Sequence, residues 1–216
     1  PDRWRGATYL WDDDGEDAEL MNTGVDEDLG EQVWHYPSRA ECRACHTDAS
    51  GEVLGWSTRQ LSRWADMGMN GAPVHQIEAL RRAGVLEGAP ADSENLVGFP
   101  EPTDLSVGAP ERARAYLHSN CAHCHRPGTS TTTPLDLRAE TALASAHACG
   151  VAPEKGELGL LSPLLISPGE PEMSVLVARM ATLDSNDRMP NLGSNLIDVH
   201  GVELVSQWIE GLEGCQ

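Results

Sequence analysis

The sequence predicts a mainly α protein, with two helical domains behind a short β-rich N-terminal segment. Two Cys-x-x-Cys-His motifs, Cys42-Arg-Ala-Cys45-His46 and Cys121-Ala-His-Cys124-His125, stand 79 positions apart and give the chain two centres to fold around. Apolar residues at helical spacing flank both motifs. The first 36 residues differ, being acidic, strand-like and without helical periodicity. The expected boundaries are 1–36 for this segment, 37–105 for the first domain and 106–216 for the second.

Taken in order, Trp4 to Trp11 reads as a strand and Asp12-Asp13-Asp14-Gly15 as the turn after it. The aspartates resemble part of a calcium loop, but Leu10 stands where an EF-hand needs its first acid. Ser38, after Pro37, caps a helix through the first motif. Ser57 caps a second helix running to about Met67 and ended by Gly68. A third runs from Pro73 to Ala83, with Ile77, Leu80 and Ala83 on one face and Gly84 just beyond its end. Residues 87–109, rich in Pro, Gly and Asp, read as the link between domains. In the second domain a helix from Pro110 to Asn120 leads straight into Cys121. A long loop containing Gly128-Thr-Ser-Thr-Thr-Thr-Pro134 follows, then a helix from Glu172 to Thr182 that carries Met180 as a core residue. After the loop bearing Met189, a last helix runs from Asp198 to Leu212, with Val202, Val205, Ile209 and Leu212 along one face.

The chain has 216 residues, a net charge of −19 and a single lysine, Lys155. Eleven of its 34 acidic residues fall within the first 31 positions. Nucleic acid is excluded as a partner, since phosphate binding needs a basic face. A basic protein partner suits this surface, and the same charge also reads as a solubility device or salt adaptation. No apolar run approaches the roughly 18 residues of a membrane span, so no transmembrane segment is expected. Pro1 reads as the start of a mature form or a fragment, because no charged-then-apolar signal pattern precedes it.

The motif spacing has a mechanical reason. Two thiols three positions apart can reach the two vinyl groups along one edge of a porphyrin, and the next residue then places an imidazole under the iron. Zinc is the competing chemistry, but a zinc site usually combines two such pairs, or a pair and two histidines, at finger-like separation. A thioredoxin-type redox pair would need a βαβ context that is missing. Two covalently attached haem c groups are therefore expected at Cys42, Cys45 and His46 and at Cys121, Cys124 and His125. Covalent haem implies assembly outside the cytoplasm, so a periplasmic or extracellular location follows. Cys149 and Cys215 are left over as an even pair and read as a disulfide, with free thiols as the alternative.

Helix, motif, loop, helix, Met-Pro loop, helix is the layout of a class I cytochrome c domain. That layout is the second domain's and the repeat between the halves is limited to the haem motif, and both domains are expected to be cytochrome c-like haem domains. His46 and His125 are the proximal iron ligands. Met189, in Asp187-Arg-Met-Pro190, is the expected sixth ligand of the second haem, since Pro190 favours an extended residue before it and a thioether raises the potential. The sixth ligand of the first haem stays open among Met67, Met69, His118 and His75, or no protein ligand. His35, His123, His147 and His200 read as solvent-facing or supporting residues.

Several stretches resemble a bacterial family of exported dihaem c-type cytochromes. They are Trp34-His-Tyr-Pro-Ser-Arg-Ala-Glu-Cys42-Arg-Ala-Cys-His46, Val53-Leu-Gly-Trp-Ser-Thr-Arg-Gln-Leu61, Ala113-Arg-Ala-Tyr-Leu-His-Ser-Asn-Cys121-Ala-His-Cys-His-Arg-Pro-Gly128, Ser167-Pro-Gly-Glu-Pro171 and Arg188-Met-Pro190. Members usually read Met-Pro-Pro where this chain has Met189-Pro190-Asn191. The resemblance implies that residues 1–36 are the tail of a β-domain, and it implies two haems without a particular reaction. Electron transfer between exported redox proteins is the leading expectation. A dihaem peroxidase with an open first haem, and a self-assembling haem conductor with the N-terminal segment as its arm, are the alternatives.

Overall fold

The acidic N-terminal segment forms two β-hairpins in a computed structural model of the chain, which describes residues 4–67, 71–131 and 133–216. Strand β1 (Thr8–Trp11) pairs antiparallel with β2 (Ala18–Met21), with Thr8 opposite Met21. The Asp12 amide donates to the Asp17 carbonyl at 2.9 Å, so the aspartate run closes a turn. Strand β3 (Val25–Asp28) pairs with β4 (Val33–Tyr36). Isolated two-stranded hairpins are marginal in water, and this second one is tied to the next element. His35 on β4 bridges Asp26, at 2.6 Å, and Glu41, at 3.0 Å. The hydrogen bond to Asp26, then that to Glu41, raises the pKa of His35 against the opposing effect of burial.

The expectation of a mainly α fold made of two cytochrome c-like domains does not hold. Only 29% of the structure is helix and 11% strand. The helices α1 (Arg39–Cys45), α2 (Thr58–Leu61), α3 (Gln76–Arg82), α4 (Ala109–Asn120), α5 (Val175–Met180) and α6 (Val199–Glu210) are mostly short. The physical cause lies in the turn-forming residues, 21 Gly and 14 Pro among them, and in tertiary pairings that override helical periodicity. The helix expected from Ser57 to Met67 ends at Leu61, because Ser62 is buried with its hydroxyl on the Leu96 carbonyl. Trp64–Ala65 (β5) then pairs with Val74–His75 (β6), which also delays the start of α3. The helix expected over 172–182 divides into a 3-10 turn, Pro171–Met173, and the six residues of α5.

The link expected over 87–109 is in part packed. The Phe99 amide donates to the Arg59 carbonyl at 2.8 Å, the Arg59 guanidinium lies 4.2 Å over the Phe99 ring, and Arg63 pairs with Glu101. Gly98 runs so close to Ser62 that a Cβ there would lie 2.0 Å from the Ser62 carbonyl oxygen.

The main core belongs to the C-terminal half. Ala113 and Leu117 of α4 meet Leu204, Val205, Trp208 and Ile209 of α6, and Leu135, Leu137, Ala148 and Ile166 close the cluster from the loops. Alternation of apolar and polar residues at i, i+3 and i+4 explains both long helices. Gly108 and Pro110 start α4, and Asp198 caps α6 by accepting from the Gly201 amide. A disulfide joins Cys149 to Cys215 across 66 positions. Closing a loop of that length stabilises a fold by about 4 kcal/mol in the chain-entropy account. No helix among the described residues is long and apolar enough to cross a membrane.

Candidate functional site

The first motif ends α1. Ser38 and Glu41 form a reciprocal cap, with the Glu41 amide donating to the Ser38 hydroxyl and the Ser38 amide to the Glu41 carboxylate. That cap starts the helix so that Cys42 and Cys45 lie along it and His46 leaves its end. His46 Nδ1 lies 2.6 Å from the carbonyl oxygen of Glu52. A carbonyl only accepts, so the proton sits on Nδ1 and the lone pair on Nε2. The loop is built for this contact. Thr47 and Ser50 cap a 3-10 turn reciprocally, and Glu52 takes a left-handed φ of 60° to turn its carbonyl toward the ring. Trp4 stacks on the His46 ring, with the centroids 4.0 Å apart and the planes 10° from parallel.

The second motif follows α4 without a break. The Cys121 amide still donates to Leu117, and the Cys124 and His125 amides both return to the Cys121 carbonyl. Burial pushes the Cys121 thiol up to about 12 and lowers the pKa of His125. His125 Nδ1 is a buried nitrogen without a hydrogen-bond partner in the described structure.

The fold brings the two motifs together. The loop after His125 grips α1 and the turn that follows it. Ser130 donates to the Ala44 carbonyl at 2.7 Å, Arg126 to that of Ala49 at 3.4 Å, and Gly128 sits against the Ala49 methyl with a φ of 86°. The result is a sulfur–sulfur contact of 3.1 Å between Cys124 and Cys45. His123, expected to be solvent-facing or supporting, is partly buried and has a ring nitrogen within 4.8 Å of both sulfurs. The Cys124 S–H, and then His123, draw the Cys45 thiol down to about 5, while Cys124 is pushed up as the donor of the pair. Position 123 gave no sequence signal, because it lies inside the motif where any residue is allowed.

The other expected residues are spread out. Met189 is 37% exposed, with its amide on the Arg179 carbonyl. Its loop is held by Arg188, which donates to Ser194, Asn195 and Asn191, and by Asn195, which donates to the Val33 carbonyl of β4. Met67 lines a cavity of about 570 Å³ between the first half and α4, with Trp56, Leu61, Leu80, Phe99 and Tyr116 among its neighbours. His118 packs 4.8 Å from Phe99, and its Nδ1 accepts from the Ala139 amide at 3.1 Å. In the neutral ring its proton is therefore on Nε2. His75 is 3% exposed and lies 3.4 Å from the Ser62 hydroxyl. Met69 lies outside the described residues.

These residues fit covalent haem on their own chemistry. All four motif cysteines are free thiols, whereas the remaining two are joined. His46 is oriented with Nε2 free to ligate, as a carbonyl partner does for metal-bound histidines generally. No family model matches the sequence, and no curated protein or solved structure is significantly similar to it.

Proposed function

We propose that the chain is an exported dihaem c-type cytochrome that passes electrons between redox proteins. The observation that carries this reading is the convergence of two Cys-x-x-Cys-His motifs on one site, with all four thiols free and Cys45 3.1 Å from Cys124. Cys42 and Cys45 would hold one haem and Cys121 and Cys124 the other, with His46 and His125 as proximal ligands. When bound, the haem irons supply reversible one-electron chemistry at potentials tuned by axial ligand and burial. The chain's own residues supply position. Glu52 orients His46, the 126–131 loop holds the two motifs in register, and the acidic surface presents them to a basic docking face on a partner. Met189 is the proposed sixth ligand at the second centre. At the first, the sixth ligand stays open among Met67, Met69, His118 and His75, since the cavity that Met67 lines includes no residue of the first motif. The resemblance to exported dihaem cytochromes and the two leftover cysteines agree with a periplasmic or extracellular location.

The test is a haem count on the full chain produced with haem attachment in an exported compartment. Intact mass and a reduced-minus-oxidised spectrum should give two haems, falling to one when Cys121 and Cys124 are both replaced by Ala. A chain that takes up no haem while other c-type cytochromes mature in the same cells would sink the proposal.

A further inference from the structure

The geometry points to a metal site in the free-thiol chain, in which Cys45, His123 and Cys124 together bind one thiophilic ion such as Zn²⁺ across the two motifs. Their ligand atoms all lie within 4.8 Å of one another, and all three residues are partly buried. Cys45 is the last residue of α1, while His123 and Cys124 lie in the turn after α4, so the site exists only because the chain folds the motifs together. Two sulfurs on one tetrahedral zinc, each about 2.3 Å from it, sit about 3.8 Å apart. The observed 3.1 Å needs only a small side-chain rotation to open to that value. Two thiolates and an imidazole form a soft donor set that selects Zn²⁺ or Cu⁺ over Mg²⁺ or Ca²⁺. The fourth position is left to water, as in other zinc sites with three protein ligands.

Binding displaces the thiol protons to solvent, with no change of oxidation state. Haem attachment uses the same sulfurs differently. Each thiol adds across a vinyl group, its sulfur bonding one vinyl carbon and its hydrogen going to the other, which leaves a neutral thioether. Two of the three donors are thereby lost, so ion and haem exclude each other. That exclusion rests on the dihaem reading, whereas the ion site rests on the thiol geometry alone. Metal exposure before haem attachment would then lower haem loading.

The experiment uses the full chain made without haem attachment and kept reduced, titrated with Zn²⁺ against a chromophoric chelator, with Co²⁺ as a spectroscopic probe. One ion per chain is expected, with the absorption of a cobalt–thiolate site. Cys45→Ser, Cys124→Ser and His123→Ala should each weaken binding by more than the roughly 10- to 100-fold cost of losing an outer hydrogen-bond partner. Cys42→Ser and Cys121→Ser should bind as the parent does. His123→Ala lies in a turn and tests the site without touching a motif cysteine, with circular dichroism confirming the fold. An ion held equally well without His123, or lost with Cys42 or Cys121, would place it inside a single motif and overturn the assignment. Haem-loaded chain should bind no ion at this site, and retention of the ion there would overturn the exclusion. Failure to load haem at all, with the ion site intact, would count against the dihaem reading only.

Discussion

Asp136 shows how single residues hold the irregular half of this fold. The residue is 4% exposed, and its carboxylate accepts from Arg138 and the Thr141 hydroxyl and anchors the loop between the second motif and α5. The Arg138 guanidinium, and then Thr141, hold its pKa down from 3.8 to about 2, against the opposing effect of burial. A depressed folded-state value means stability that is present above the unfolded value and lost as pH falls through the folded one. The window is therefore about pH 4 to 2, and the shift corresponds to about 2 kcal/mol at neutral pH. Asp136→Asn should lower neutral-pH stability by about that amount and flatten the loss over this window, measured by urea unfolding at a series of pH values. Equal acid sensitivity in parent and variant would show that other carboxylates carry it. At this scale the sequence was only partly legible. The motif cysteines and histidines announce themselves by spacing, but Asp136 and Glu52 act through local turns without a motif, and His123 through Cys45 far back in the chain.

The elements divide along the same line. The spacing of Val202, Val205 and Ile209 marks α6, and Pro110 marks the start of α4, because both helices bury a stripe against one another and their periodicity survives in the sequence. Where a short segment is claimed by a strand partner or a buried hydroxyl, as at Ser62 and Trp64, periodicity misleads and the expected helix is cut short. The 126–131 loop is legible only as a loop, although its Ser130 and Arg126 contacts are what bring the motifs together. Gly201 is the element-scale position with the clearest consequence. A Cβ there would lie 2.2 Å from the Tyr116 hydroxyl oxygen and 2.3 Å from its Cζ, while that hydroxyl donates to Asp198 at the α6 cap. Gly201→Val should therefore destabilise the fold by about 1–3 kcal/mol through overpacking, despite removing a glycine from a helix. Denaturant midpoints decide this, and a neutral or stabilising effect would mean that the Tyr116 ring moves aside freely.

For the whole molecule, the decisive quantity is charge. A chain at −19 with one lysine carries a negative field well beyond any one contact, and such fields act on the rate of encounter more than on the strength of a docked complex. If the converged motifs exchange electrons with a basic partner, the association step must respond to salt. The Debye length shrinks from about 30 Å at 0.01 M to about 3 Å at 1 M, which removes steering while leaving short-range contacts in place. The acids of residues 12–31 belong to the hairpins, and Asp26 contacts His35, which in turn contacts Glu41 beside the first motif, so part of this charge lies near one of the two proposed haem sites. Stopped-flow electron transfer between the haem-loaded chain and a small basic redox protein should therefore slow by at least about tenfold across that salt range, by the loss of steering. Replacing Asp12, Asp13, Asp14, Asp17 and Glu19 by neutral amides should reduce the salt slope without altering haem content. A second-order rate indifferent to ionic strength would mean that the acidic surface keeps the chain soluble and takes no part in meeting its partner.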